Sequence, residues 1–127
     1  MAEINITPQI NITNGVFKFA ISAETIGVTQ NNVGGGIPGY VVVGETEQQI
    51  DLTELTYPGY CYAKNLDDTY YVQLGADASG IVPFLKLKPG EVAIFRIEPT
   101  ATLMAISEAG SSGATPAVKL QLYVFED

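Results

Sequence analysis

Large apolar side chains recur at every second position along most of this chain. That period admits strands and little else. Ile4, Ile6, Ile10 and Ile12 fall on even numbers, and Phe17, Phe19 and Ile21 on odd ones. Between the two runs stands Asn14-Gly15, a favoured pair for a two-residue type I′ hairpin turn. Closing that turn sets Ile12 opposite Phe17, Ile10 opposite Phe19 and Pro8 opposite Ile21. All the large apolar groups then share one face, and a one-residue slip would scatter them. Pro8 has no N–H to give a ladder and marks an edge or a break. Residues 3–12 otherwise read as one long, regular strand.

The remainder alternates in the same way, with turn signals between the runs. Residues 23–39 hold Gly34-Gly35-Gly36 and Pro38 and read as a loop. A phosphate-cradling loop would need a Lys opening a helix, and none follows. Tyr40–Val43 is a short apolar strand, and residues 45–55 fit a helical turn or a short strand equally well. Tyr60–Lys64 and Tyr70–Leu74 flank Asn65-Leu66-Asp67-Asp68-Thr69. As a simple hairpin they set Cys61 opposite Leu74 and Ala63 opposite Val72. Tyr60, Tyr62, Lys64 and Tyr71 are then left on the other face. Val82–Leu87 and Glu91–Ile97 flank Lys88-Pro89-Gly90, a type II turn signal better suited to a corner between sheets than to a tight hairpin. Strands follow at 103–106 and from Val118 to Val124, separated by a small-residue loop at 108–116. The pattern predicts an all-β, single-domain antiparallel β-sandwich or jelly roll over residues 1–127. It has about eight to ten short strands and little or no helix. Residues 1–22 form an amino-terminal hairpin or arm, and residues 40–127 form the core.

Composition narrows the chemistry. Fourteen acids against six bases give a charge of −8, with no His, no Trp and one Cys in 127 residues. Without His the Ser-His-Asp, Cys-His and His-metal arrangements are excluded. One Cys closes no internal disulfide, and no Cys/His cluster exists for zinc. The acidic balance, with no basic run, argues against nucleic-acid binding. No apolar run approaches the roughly 20 residues of a membrane helix, and the amino terminus lacks a signal-peptide pattern. Charged residues make up only 16% of the chain, against about 25% in typical soluble domains. Neutral Thr, Ser, Asn and Gln replace them, and such groups cost less to cover than ions. This fits a surface covered by other chains as well as it fits an ordinary Thr-rich β-domain.

Candidate sites follow from that frame. Asp67-Asp68 is turn chemistry rather than a calcium site, which needs six to eight oxygens. Glu91 with Glu98 is the carboxylate pair to weigh for glycoside hydrolysis. Cys61 falls on the apolar phase of its strand and reads as a core residue, not a nucleophile. Arg96, the sole Arg, reads as an outward strand residue that could pair with an acid at an interface. Tyr60, Tyr62 and Tyr71 fit a protein interface better than a sugar site. The Ile-rich hairpin adds Ile4, Ile6, Ile10 and Ile12 to the interface candidates. No catalytic, cofactor or metal residues are assigned.

Three strings occur in order: YPGYCYAKNLDDTYYVQLG, FLKLKPGEVAIFRI and VKLQLYVFED. Together they resemble a group of small structural proteins of tailed bacteriophages. The likeness covers residues 57–127 well, Gly44–Leu55 loosely and residues 1–43 poorly. It implies a virion component made in the bacterial cytoplasm, with no enzymatic activity and no cofactor. The leading expectation is a capsid decoration (cement) protein on the shell surface. Its partners would be the major capsid protein and further copies of itself, a trimer being favoured over a dimer. A receptor- or carbohydrate-binding module of a fibre or baseplate is the alternative. It would use Tyr70, Tyr71 and the loops at 30–38 and 108–116. A cupin-type enzyme is a distant third, since its metal-binding His residues are missing.

Overall fold

The computed structural model describes residues 3–22, 24–32, 34–108 and 117–127. Contacts divide the chain into two units, residues 1–31 and residues 32–127.

The first unit holds four strands: β1 (Ile4–Ile6), β2 (Gln9–Asn14), β3 (Phe17–Ser22) and β4 (Ile26–Val28). The strand expected through residues 3–12 is broken at Thr7-Pro8, where proline can give the ladder no N–H. β1 pairs with β4, setting Ile4 opposite Val28 and Ile6 opposite Ile26. Beyond their ends the Thr7 and Thr25 hydroxyls meet at 2.5 Å. β2 and β3 form the expected hairpin in a different register. Asn14 pairs with Phe17, Ile12 with Phe19 and Ile10 with Ile21. The loop residues are therefore Gly15-Val16, with Gly15 at φ +60°. A Gly at the first central position is the demand of a type II′ turn, so Val16 escapes the left-handed conformation. The slip from the expected register is two residues, so every apolar side chain keeps its face.

The second unit is an antiparallel two-sheet β-sandwich. Its strands are β5 (Gly35–Val43), β6 (Gln48–Gln49), β7 (Pro58–Asn65), β8 (Val72–Asp77), β9 (Ile81–Leu87), β10 (Val92–Arg96), β11 (Leu103–Ser107) and β12 (Val118–Glu126). One sheet runs β10-β7-β12-β5 and the other β6-β11-β8-β9. The described residues contain no helix. The core is made by alternate residues of the facing strands. Val43, Cys61, Ala63, Leu120, Leu122 and Val124 come from one sheet, and Val72, Leu74, Leu87, Leu103 and Ala105 from the other.

Three expectations change here. Residues 60–74 are not a hairpin: β7 pairs with β10 and β12, and β8 with β11 and β9. Alternation identifies which side chains face inward, but Cys61 and Leu74 enter the core from opposite sheets and are not partners in a ladder. Residues 23–39 are not all loop, since β4 and the start of β5 lie within them. Gly35 sits where a Cβ would strike the Phe125 backbone, at φ +130°, beside the bulge at Val124/Phe125. Glycine there lets the strand begin. Residues 45–55 contribute only the two-residue β6, which pairs with β11. Most of the loop expected at 108–116 lies outside the described residues.

The Lys88–Glu91 turn is the expected corner, carrying the chain from β9 in one sheet to β10 in the other. Glu91 N–H donates to the Lys88 carbonyl at 3.0 Å, and Gly90 takes φ +80°. Those are the marks of a type II turn with Pro89 second and Gly90 third. The neighbouring β7–β8 corner is fixed by Asn65, whose side chain is fully buried. Its Nδ2 donates to the carbonyls of Tyr70 at 2.9 Å and Leu87 at 3.0 Å, and its Oδ1 accepts from Asp67 N–H at 2.9 Å. Its backbone bonds Glu91 and Gly90. One residue therefore ties both corners together. Asp67 accepts from the Thr69 and Tyr70 N–H groups, which is the turn role expected of it.

Candidate interaction surfaces

Strand alternation that buries Cys61 and Ala63 must turn Tyr60, Tyr62 and Lys64 away from the core. The same rule on β12 turns out Lys119, Gln121 and Tyr123. Register then lines these up: Tyr62 lies between Ile94 on β10 and Tyr123 on β12, and Lys64 between Val92 and Gln121. On β5, Tyr40 lies opposite Gln121 and Val42 opposite Lys119. The outer face of the β10-β7-β12-β5 sheet is therefore aromatic and aliphatic. Val92, Ile94, Tyr40 and Val42 are about half exposed or more. The Tyr62 and Tyr123 rings lie 6.1 Å apart, and Gln121 Nε2 reaches the Tyr123 hydroxyl at 3.0 Å.

Charge on this face runs against the charge of the chain. Lys64, Arg96 and Lys119 are three of its six cations, and no outward position of the four strands carries a carboxylate. The guanidinium of Arg96 lies 4.5 Å from the Tyr60 ring centre, and the Lys119 ammonium 5.6 Å from that of Tyr40. Arg96 also pairs with Asp127 at 2.9 Å, at the carboxyl end of the chain. That bond holds the Arg96 pKa above its ordinary value. The chain end is itself well held, since Glu126 accepts from the Thr56 and Tyr57 N–H groups at 2.8 and 2.9 Å.

Of the interface candidates, Tyr60, Tyr62 and Arg96 come together on this face. Tyr71 does not join them. It precedes β8, and its ring carries the Lys86 ammonium at 4.0 Å. Ile4 and Ile6 share one face of the β1–β4 ladder, and Ile10 and Ile12 share one face of the β2–β3 hairpin. The sheet face also recruits Tyr40, Val42, Ile94 and Tyr123, which the sequence alone does not connect. Their outward phase is visible in the alternation, but the order of strands across the sheet is not.

The same geometry answers the catalytic candidates. Glu91 and Glu98 stand beyond opposite ends of β10, roughly 20 Å apart along an extended strand. Paired glycosidase carboxylates need about 5–9.5 Å. Cys61 is buried, its Sγ facing the Gly59 carbonyl at 3.6 Å. Burial pushes its thiol up to about 12, which suits a packing residue. Among the described residues, no three Cys, Asp or Glu side chains converge as a metal site would require. A cleft of about 200 Å³ lies beside Phe84, Arg96, Glu98 and Leu103. Its one cation is the Arg96 already held by Asp127.

The fold defines a class for residues 32–127, the antiparallel two-sheet β-sandwich, while residues 1–31 hold two two-stranded ladders. Comparison with protein-family models, with curated proteins and with solved structures finds no match to this chain.

Proposed function

We propose that this chain is a bacteriophage virion structural protein. In this reading it is a capsid decoration protein that cements the outer shell by bridging neighbouring capsid subunits. The observation that carries the binding role is the part-exposed outer face of the β10-β7-β12-β5 sheet, built from Tyr40, Tyr60, Tyr62, Tyr123, Val92 and Ile94. Exposed apolar patches rimmed by polar groups mark interaction sites, and tyrosine is enriched where proteins meet. Lys64 and Lys119 suit this face to a partner surface bearing carboxylates. The phage assignment rests on the ordered sequence strings at residues 57–127. A ligand that binds only the assembled shell stabilises it by mass action, and many copies at symmetric positions add avidity.

The test is to mix the purified chain with undecorated shells and follow binding and shell melting. Bound protein should raise the melting temperature, and Tyr62→Ser with Ile94→Ser should abolish the rise. Absence of both binding and shift for the unaltered chain refutes the cement role. Four tyrosine rings on one sheet face also favour a second reading, a carbohydrate-binding module of a fibre or baseplate. A glycan array separates the two, because a cement protein should show no glycan preference.

A further inference from the structure

The β2–β3 hairpin is amphipathic across its whole length. Its register places Ile10, Ile12, Phe17, Phe19 and Ile21 on one face, and Gln9, Asn11, Thr13, Lys18, Ala20 and Ser22 on the other. All five apolar side chains remain between 39% and 56% exposed. Among the described residues the ladder contains no third strand. An isolated two-stranded hairpin is marginal in water, and three strands or a packed apolar face are needed for independent stability. This hairpin carries the apolar face with nothing of its own ladder to cover it.

We propose that this face is a self-association surface, and that its occupant is the same hairpin of a second copy of the chain. Two properties favour a copy of itself. The first is charge: residues 1–31 hold Glu3, Glu24 and Lys18, a net −1, while the remaining 96 residues carry 12 acids and 5 bases, a net −7. A contact between two such near-neutral segments meets little like-charge repulsion of its own. The face itself bears no ion for a charged partner to answer, since Lys18 points to the opposite side. The second is area. Five large side chains near half exposure offer roughly 400–500 Å² per copy, taking about 150–250 Å² as a full aromatic contribution. Two such faces bury roughly 800–1,000 Å², below the roughly 1,200–2,000 Å² of stable complexes and in the range of weak, transient ones. Stacked hairpins would lie about 10 Å apart, the ordinary spacing of packed sheets. Association through so small a contact is weak and depends on concentration.

The test is sedimentation equilibrium on the full-length chain from about 1 to 200 μM, without shells, so its outcome is independent of the shell-binding role. The unaltered chain should show a mass that rises with concentration to a dimer or a larger closed oligomer. Ile12→Thr with Phe19→Thr keeps β-forming residues in both strands and should shift the midpoint at least tenfold towards monomer. Circular dichroism and the melting of the sandwich should stay unchanged. Asn11→Ser on the polar face should leave the association as it is. A chain monomeric at every concentration, as covering by a foreign partner or by its own chain would give, overturns the proposal. So does an association that survives the double substitution, or one lost only on substituting Tyr62 and Ile94.

Discussion

Replacing Asn65 tests whether one buried amide really ties the two corners of the sandwich. The Asn65→Ala substitution removes three hydrogen bonds. The Leu87 carbonyl, in a fully buried bond, loses its Nδ2 donor, and the Tyr70 carbonyl and Asp67 N–H lose partners in part-buried ones. Orphaning a buried polar group costs about 1–3 kcal/mol, and losing a part-exposed bond about 1 kcal/mol, so the sum is about 3–5 kcal/mol. For a folding unit of 60–100 residues each kcal/mol moves the midpoint about 4–8 °C, which predicts a fall of roughly 12–40 °C. Thermal and urea unfolding followed by circular dichroism would measure it. Asn65→Asp sharpens the test. It keeps an acceptor for Asp67 N–H but sets a carboxylate oxygen against two carbonyls, so it should be no more stable than the Ala variant. A loss below about 1 kcal/mol for Ala, or an Asp variant near wild type, would refute the assignment of the corner to the amide donors.

Further outcomes follow from other sites. Cys61 should resist thiol reagents in the folded chain at pH 8 and react at once in denaturant, as a timed alkylation would show. Its folded pKa, raised to about 12 from 9.0, adds stability that is whole below pH 9 and lost as pH rises from 9 towards 12. Cys61→Ala should remove that alkaline decline in a pH series of unfolding curves. Gly75→Ala should cost about 1–3 kcal/mol in the same assay, because a Cβ there would fall against the Val82 carbonyl at the β8–β9 bulge. Arg96→Ala should cost less than about 1 kcal/mol and less still in high salt, since exposed ion pairs are weak. A larger, salt-independent loss would mean that Arg96 packs more than it pairs.

The sequence by itself determined the fold class and the face that each side chain takes. Period-two alternation fixes what points inward, so Cys61 is legible as core and Tyr60, Tyr62 and Arg96 as outward groups. The Pro89-Gly90 corner and the Asp67 turn were legible too, because they obey local backbone rules. Only the tertiary structure decided which strands are neighbours. A period of two is blind to partner choice: an inward residue packs equally well across a ladder or across a sandwich. That is why alternation alone pairs β7 with β8, which stand in different sheets in the fold. The hairpin register escaped for a related reason, since a shift of two residues preserves every face and only the demand of Gly15-Val16 selects between the two turns. The aromatic sheet face is likewise a product of strand order. Tyr40, Tyr62, Ile94 and Tyr123 are scattered along the chain, and only hydrogen bonding across β10, β7, β12 and β5 makes them one surface.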